Sequence, residues 1–180
     1  FILSFFFVIN DTQVDSKSAG FINIFDYANL DLFYNEMKNH ISGMRAAGAE
    51  AIVLFIQWGD QFSVNPSSTQ EIIARKMCDL GVDVIVGGHP HVVQPMELLT
   101  STTDETHKTL CIYSVGNALS NQRRDLMRLD TGHTEDGIVF NFTFSKYSDG
   151  TVALTGTDVL PCWVNRYSGS NGYRVYNILP

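Results

Sequence analysis

The chain has 180 residues, with 12 Lys and Arg against 19 Asp and Glu, so its formal net charge is −7. Hydrophobic residues make up 44% and charged residues 17%, a balance that allows a sizeable core and excludes global disorder. The acidic balance argues against a nucleic-acid-binding protein, which usually carries a basic face. We therefore expect one globular domain that spans residues 1–180.

The longest apolar run, at residues 1–9, is about half as long as a membrane span. No basic residue precedes it, which makes it a poor signal peptide, and its aromatic and β-branched content predicts a buried strand. The first residue is Phe1 rather than Met, so we expect a processed chain, a truncated chain or a fragment.

The three cysteines are far apart in the sequence and odd in number: Cys78, Cys111 and Cys162. They form neither a CxxC pair nor a metal-ligand spacing. The pattern predicts buried thiols that act as small hydrophobic residues, not a disulfide framework.

A helix and a buried strand are predicted after the strand at residues 1–9. Apolar residues recur every three or four positions from Leu30 to Met44 and predict a helix that ends at Gly48. The following run, residues 51–56, is continuously apolar. Continuous apolar character predicts a strand buried on both faces, as in a parallel sheet.

A second helix and strand follow. Residues 68–71 have the spacing of a capping box and open a helix that Gly81 closes. A short apolar run at residues 82–86 comes directly after it. This strand–helix–strand order predicts two parallel strands joined by a right-handed crossover.

The second half of the chain has the pattern of a β structure. Residues 109–113 predict another short strand. Residues 137–145 alternate apolar and polar, residues 147–150 form a turn signal and residues 151–160 return, which predicts an antiparallel hairpin. We expect the segment 161–180, rich in Tyr, Asn, Ser and Gly, to wrap the surface. The fold class is therefore α/β, with parallel strands first and an antiparallel hairpin at the C-terminal end.

Two histidines lie just beyond the second predicted parallel strand. The segment 87–91 reads Gly-Gly-His-Pro-His and should lie at the carboxyl end of the sheet, where ligands of open α/β sheets bind. His89 and His91 on one tight loop can face a common point, and neutral imidazole is a good ligand for zinc, iron or manganese. The alternatives are that the two histidines bind an anion or only satisfy the loop.

A second group of polar residues follows the first parallel strand. Gln57 offers an amide and Asp60 a carboxylate, and Trp58 could form an apolar wall against a ligand. By topology this group should lie beside the histidine loop. The alternative is that Trp58 closes the edge of the core while Asp60 is solvated.

A third group follows the strand at 109–113. Asn117 could hydrogen-bond a ligand, although an ordinary turn at Gly116-Asn117 is the simpler interpretation. Arg123 and Arg124 could bind carboxylates or phosphates, or could be a solvated basic patch. The other histidines have no partner spacing, and we assign them no function: His40, His107 and His133.

Four segments, taken together, resemble motifs of the bacterial capsule synthesis CapA family of poly-gamma-glutamate biosynthesis proteins. Residues 81–97 (GVDVIVGGHPHVVQPME) resemble its signature, and residues 52–62 (IVLFIQWGDQF) resemble its strand ending in His-Trp-Gly-acidic. Residues 112–122 (IYSVGNALSNQ) resemble its Tyr-Ser-Leu-Gly-Asn stretch. Residues 161–164 (PCWV) and 173–180 (YRVYNILP) resemble its closing Pro-Thr-Trp-Val and its final strand.

This resemblance implies a calcineurin-like metallophosphatase fold, a layered β-sandwich with flanking helices and a two-metal site at strand ends. It implies that His89 and His91 are metal ligands, for Mn, Fe or Zn, that His91 and Asp60 are catalytic, and that paired metals polarise a phosphoryl group. It further implies a location at the bacterial surface or in the cell envelope, with a parent protein that is anchored in the membrane or exported. The expected partners are an anionic surface polymer or its synthesis machinery, and not a nucleic acid.

Two departures from the family pattern bear on the site. The amino-terminal part of the family, with its first-strand Asp and its Asn-His pair, is absent, so the chain resembles the C-terminal part of a larger domain. Gln57 stands where the family has His, and an amide oxygen is a weaker ligand for a transition metal.

The sequence thus leaves two functions open. The first is a metal-dependent hydrolase of a phosphoester or an amide in capsule or poly-gamma-glutamate biosynthesis. The intact His-Pro-His favours it, with Gln57, Trp58, Asn117, Arg123 and Arg124 as substrate-binding candidates. The second is a non-catalytic surface module that binds polymer or partner subunits through a degenerate site, which Gln57 favours. An unrelated α/β protein with a chance His-Pro-His is a third interpretation.

Overall fold

The computed structural model describes residues 1–7, 17–166 and 173–177. In chain order the elements are β1 (Ile2–Phe6), α1 (Leu30–Ala46), β2 (Val53–Gln57), α2 (Ser68–Asp79), β3 (Val84–Gly88), β4 (Met96–Thr100), β5 (Lys108–Ile112), α3 (Arg124–Met127), β6 (Asp136–Lys146), β7 (Val152–Arg166) and β8 (Tyr173–Asn177). The chain divides into two compact units. The first unit comprises residues 1–59, 67–87 and 96–112, and the second comprises residues 60–66, 88–95 and 113–180.

The first unit contains a mostly parallel five-stranded sheet in the order β1-β2-β3-β5-β4. β1 pairs with β2 in parallel and β3 pairs with β5 in parallel, while β4 runs antiparallel to β5. The predicted α/β class is therefore confirmed. β4 is an additional strand that the sequence patterns did not predict.

The two helices of this unit bury one face each, as their apolar spacing predicts. In α1 the buried residues are Phe33, Met37 and Ile41, and the Phe33 ring meets the Phe5 ring of β1 edge-on at 5.4 Å. Gly48 and Gly81 follow the two helices with φ values of +89° and +90°, the left-handed conformation that ends a helix at little steric cost. Both predicted helix ends are confirmed.

The capping box of α2 begins one residue earlier than predicted. Ser67 is the N-cap: its side chain accepts a hydrogen bond from the Gln70 backbone, and the Gln70 side chain accepts one from the Ser67 backbone. Both serines have a Gln or Glu three residues later, Gln70 for Ser67 and Glu71 for Ser68, so the spacing fits either register. In the earlier register the fully buried Gln70 side chain has the Ser67 backbone N–H as a polar partner.

β1 is shorter and more exposed than the buried strand predicted for residues 1–9. It ends at Phe6 and lies at the edge of the sheet, so Ile2 is 69% exposed whereas Phe5 is 2% exposed. An edge strand is covered on fewer sides than a central one, which explains the difference. Val8 and Ile9 lie outside the described residues.

The second unit contains a three-stranded antiparallel sheet in the order β6-β7-β8. The hairpin predicted over 137–160 is confirmed, with Gly150 in its turn at φ +88°. The expectation that the chain wraps the surface from Pro161 is wrong for the stretch up to Arg166. β7 continues to Arg166, and both Cys162 and Val164 are buried.

The three cysteines lie in the interior of the fold. Cys78, Cys111 and Cys162 are all buried thiols, as predicted. Burial raises the pKa of the Cys111 thiol far above its ordinary value.

Within the described ranges, no helix is long and apolar enough to cross a membrane.

Candidate functional site

The His loop, which we define as residues 88–95, carries His89 and His91 directly after β3. Both have left-handed backbones, with φ values of 94° and 61°. Such a conformation costs a non-glycine residue about 1–3 kcal/mol, and it clusters at functional sites. The two half-buried imidazole rings lie with their centroids 6.0 Å apart and their planes tilted by 47°. The loop therefore holds two imidazoles as near neighbours, as the sequence predicts.

Asn117 contacts the His91 ring within the second unit. Its Oδ1 lies 2.9 Å from His91 Nδ1. Its Nδ2 donates to the backbone oxygens of His91, at 3.2 Å, and of Thr134, at 2.9 Å, and to Gln122 Oε1, at 3.0 Å. Every polar atom of the Asn117 side chain is thus engaged in fixing this part of the site.

These contacts assign the tautomer of His91. A backbone carbonyl can only accept a hydrogen bond, so the two carbonyls beside Asn117 Nδ2 require the amide nitrogen on that side. The amide oxygen therefore faces His91 Nδ1, which must carry the proton. In the neutral ring the lone pair is then on Nε2. A second group that fixes the tautomer in this way is typical of metal-binding histidines.

The surroundings of His89 favour its neutral form. Burial lowers the pKa of His89 below its ordinary value and the charge of His91 lowers it further, whereas the nearby Asp60 carboxylate opposes them. Neutral imidazole is the form that binds a metal. Asp60 is exposed, and its electrostatic effect on His89 places the two groups near each other within the second unit.

Gln57 and Trp58 belong to the first unit and are described within it. Trp58 is fully buried, which favours its core role over that of a wall against a ligand. Gln57 ends β2, and its backbone oxygen accepts a hydrogen bond from the Phe7 N–H at 2.9 Å. Next to them, the Gly59 N–H donates to Tyr27 Oη at 2.7 Å.

The two arginines differ in their environment. Arg123 forms an ion pair with Glu135 at 3.0 Å and donates to the Val164 backbone oxygen at 3.2 Å, with 21% of its side chain exposed. Its guanidinium is thus committed to the scaffold. The Arg124 side chain is exposed, and only its backbone N–H contacts Glu135. Arg124 is therefore the better placed of the two to meet an anion.

Sequence reasoning missed two buried polar residues that support this site. Gln94 is 2% exposed and its amide bonds to the loop that contains Asp60, while Glu135 is 8% exposed and bonds to Arg123. A polar residue inside an otherwise apolar stretch, as at Gln94 after Val92-Val93, was the available signal. Glu135 follows a run of polar residues and gives no such signal.

The donor chemistry of the His loop fits a divalent metal in part. The neutral His91 ring has its lone pair on Nε2, and the lowered pKa of His89 favours its neutral form; neutral imidazoles are ligands of a type that zinc, iron and manganese accept. In the part of the chain that the structure describes, no group of three or more His, Cys, Asp or Glu side chains is arranged to hold a metal ion. The two imidazoles therefore fit as two ligands of a site that requires further donors.

Comparison with known proteins agrees with the resemblance read from the motifs. The chain is 30% identical over 111 residues to the PGA biosynthesis protein CapA of Bacillus subtilis (strain 168), a match that covers 62% of this chain and 26% of the relative. It is 33% identical over 78 residues to the capsule biosynthesis protein CapA of Bacillus anthracis, which covers 43% of this chain and 17% of that relative. The matched parts thus span about a quarter or less of these relatives.

The family described as "Bacterial capsule synthesis protein PGA_cap" matches residues 9–122. This range includes the His loop, Asp60 and Asn117, and it ends immediately before Arg123. It covers well over half of the chain. The chain belongs to this bacterial capsule synthesis family.

Proposed function

We propose that this chain contributes a divalent-metal-dependent hydrolytic site to a protein of capsule or poly-gamma-glutamate biosynthesis. The observation that carries the proposal is the hydrogen bond between His91 Nδ1 and Asn117 Oδ1 at 2.9 Å. Two histidines on a strained loop, one of them held in the tautomer that leaves Nε2 for a ligand, are more than a loop needs for its own stability.

In this proposal His89 and His91 hold the metal, and Asn117 orients His91. Asp60 is the carboxylate beside His89, and we assign it the role of accepting a proton during hydrolysis. When bound, a divalent metal supplies a Lewis acid that polarises a phosphoryl or carbonyl oxygen and acidifies a water molecule. The fold is that of a calcineurin-like metallophosphatase, and the substrate is a phosphoester or an amide.

The proposed setting is the cell envelope, where capsule polymers are made and exported. The family to which the chain belongs and the capsule-related names of its relatives support this location. The proposed partners are an anionic surface polymer or its synthesis machinery. Arg124, exposed at the start of α3, is the cation that we propose meets the polymer.

Elemental mass spectrometry on the intact protein, purified with added manganese, tests the metal site. The double variant His89→Ala/His91→Ala should lose a near-stoichiometric metal. The matched control is His133→Ala, because His133 lies in the same unit but is 54% exposed and pairs with Asp136. The control should keep its metal, and a generic phosphoester should be hydrolysed only by the metal-bound forms. Equal metal content in the wild type and the double variant would contradict the proposal.

One observation favours a second candidate function, a non-catalytic module that binds an anionic polymer. Gln57 stands where the family pattern has His, and its amide oxygen is a weak ligand for a transition metal. Under this alternative the intact protein would show no turnover with manganese, iron or zinc. It would nevertheless bind poly-gamma-glutamate, and Arg124→Ala would weaken that binding in calorimetry.

A further inference from the structure

Gln94 is a buried polar residue whose side chain joins two loops of the second unit. Its Nε2 donates to the Ser63 backbone oxygen at 2.9 Å and to the Asn65 backbone oxygen at 3.0 Å. A primary amide has two N–H donors, so both are used on the same loop, residues 60–66, which we call the Asp60 loop. Gln94 itself belongs to the His loop, and its backbone N–H donates to the Ser114 oxygen at 3.1 Å.

A backbone contact reinforces the same junction. The Phe62 N–H donates to the Pro90 oxygen at 2.8 Å, and Pro90 lies between His89 and His91. Phe62 is itself left-handed, with a φ of 67°, and its ring centroid is 6.2 Å from that of His91. Left-handed backbones at non-glycine residues persist only where the surrounding structure holds them. The two facing loops are therefore held in strained conformations that need an external constraint.

We propose that Gln94 is the positioning residue of this site, because its side-chain amide clamps the Asp60 loop onto the His loop. The clamp fixes where the Asp60 carboxylate stands relative to the two imidazoles. The Gln94 Nε2 donates to backbone oxygens of the Asp60 loop, so we assign Gln94 a role that acts through that loop and not a contact with the substrate. This inference rests on the proposed function, since positioning matters only if the His loop and Asp60 form one site.

The test uses Gln94→Met in the intact protein. Methionine keeps the length and approximate volume of the side chain and removes both donors. The matched control is Thr109→Val, a fully buried residue of the first unit whose hydroxyl donates to the Val82 oxygen. Both variants lose buried hydrogen bonds and should lower the melting temperature. Only Gln94→Met should also change the site.

The first readout is the dissociation constant for Mn²⁺ by titration calorimetry. Loss of a group that orients a metal site typically weakens binding about 10- to 100-fold, and we expect that range for Gln94→Met and no change for Thr109→Val. If Gln94 acts through Asp60, the variant Gln94→Met/Asp60→Ala should hydrolyse a generic phosphoester no more slowly than the slower single variant. Additive losses, or wild-type affinity in Gln94→Met, would overturn the positioning role.

The second readout does not depend on metal. Amide hydrogen exchange at Phe62 should become at least about tenfold faster in Gln94→Met and stay unchanged in Thr109→Val, because the clamp protects the bond from Phe62 to Pro90. Unchanged exchange at Phe62 would overturn the clamp itself. If the wild type binds no Mn²⁺ while exchange at Phe62 responds as expected, the proposed function fails and the clamp stands.

Discussion

A close approach between two backbones sets the position of Asn117, and it can be disturbed by a single methyl group. Gly137, at the start of β6, faces Gly116 in an isolated antiparallel bridge. A Cβ atom built on Gly137 would lie 2.3 Å from the Asn117 backbone oxygen and 3.0 Å from its carbonyl carbon. Gly137→Ala should therefore push away the residue that holds His91.

The size of the effect follows from these distances. An ordinary contact begins at 3.4 Å, so the new methyl group is about 1.1 Å too close to an atom of the backbone, which cannot turn aside as a flexible side chain can. Overpacking of this kind costs about 1–3 kcal/mol, and a backbone obstacle places Gly137→Ala at about 2–3 kcal/mol. For a chain of this length that corresponds to a fall in melting temperature of about 4–12 °C.

Gly156→Ala is the matched control, because it makes the same substitution in β7 of the same sheet. Its Cβ would meet only the Thr143 side chain, at an ordinary 3.7 Å. The free energy of unfolding should change by less than about 0.5 kcal/mol in this variant. Urea denaturation gives both free energies, and Mn²⁺ titration of the folded variants gives the effect on the site. We expect weaker metal binding in Gly137→Ala alone.

Two results would refute this reasoning. Equal unfolding free energies for Gly137→Ala and Gly156→Ala would show that the approach of Gly137 to the Asn117 backbone is not tight. A destabilised Gly137→Ala that binds Mn²⁺ as the wild type does would show that the position of Asn117 does not control His91.

Two further predictions concern stability. Burial raises the pKa of Asp79, but hydrogen bonds from Thr102 and Ser101 outweigh it and leave the pKa below its ordinary 3.8, so this stabilisation is complete above pH 3.8 and is lost as the pH falls through the folded value. Asp79→Asn should thus cost about 0.5 kcal/mol near pH 6 after screening by solvent. The gap in melting temperature to the wild type should narrow as the pH falls below 3.8, and a constant gap would contradict this. Glu135→Leu should lower the free energy of unfolding in urea by about 2 kcal/mol, because it removes the Glu135 partner of the half-buried Arg123 guanidinium. The double variant Glu135→Leu/Arg123→Leu should lose less free energy than the sum of the two single variants. A double variant that loses the full sum would exclude coupling between the two residues.

The parts of the fold that the sequence predicted are those that local patterns determine. Continuous apolar runs marked β2 and β3 because both lie inside the sheet, and glycines at 48 and 81 marked the helix ends because the left-handed backbone there requires them. The prediction of a buried strand was wrong for part of β1, because an apolar run does not reveal that a strand lies at the edge of a sheet.

The missed strand and the misjudged one have a common cause, which is pairing with a distant partner. β4 has only five residues, of which Met96 and Leu98 are exposed, and it is defined by its antiparallel pairing with β5. The Tyr, Asn, Ser and Gly content of 161–180 predicted that the strand ends before Pro161. β7 instead continues to Arg166, and among the described residues its pairing with β8 begins at Cys162. The missing N–H of Pro161 therefore removes no bond from that ladder.

For the site, the sequence predicted which side chains carry the chemistry but not what holds them. The strand-end rule marked His89 and His91 and placed the group that contains Asp60 beside them. Asn117 stood apart, as a residue that could hydrogen-bond a ligand or form an ordinary turn, and the structure places it in contact with His91. The supports, Gln94 and Glu135, act through backbone oxygens and an ion pair. Their partners depend on how loops return in space, and no local pattern contains that information.

Residues beyond the range of the family match also hold Asn117 in place. The family match stops at residue 122, yet Asn117 Nδ2 donates to the backbone oxygen of Thr134, and its backbone N–H donates to that of Asp136 at 3.3 Å. Glu135, which lies between Thr134 and Asp136, forms an ion pair with Arg123. The segment 123–137 therefore belongs to the scaffold of the site, although it lies beyond the matched range. Apart from the Arg123–Glu135 ion pair and Gly137, we expect the site to need only backbone oxygens from this segment, because a carbonyl group serves as an acceptor whatever side chain its residue carries.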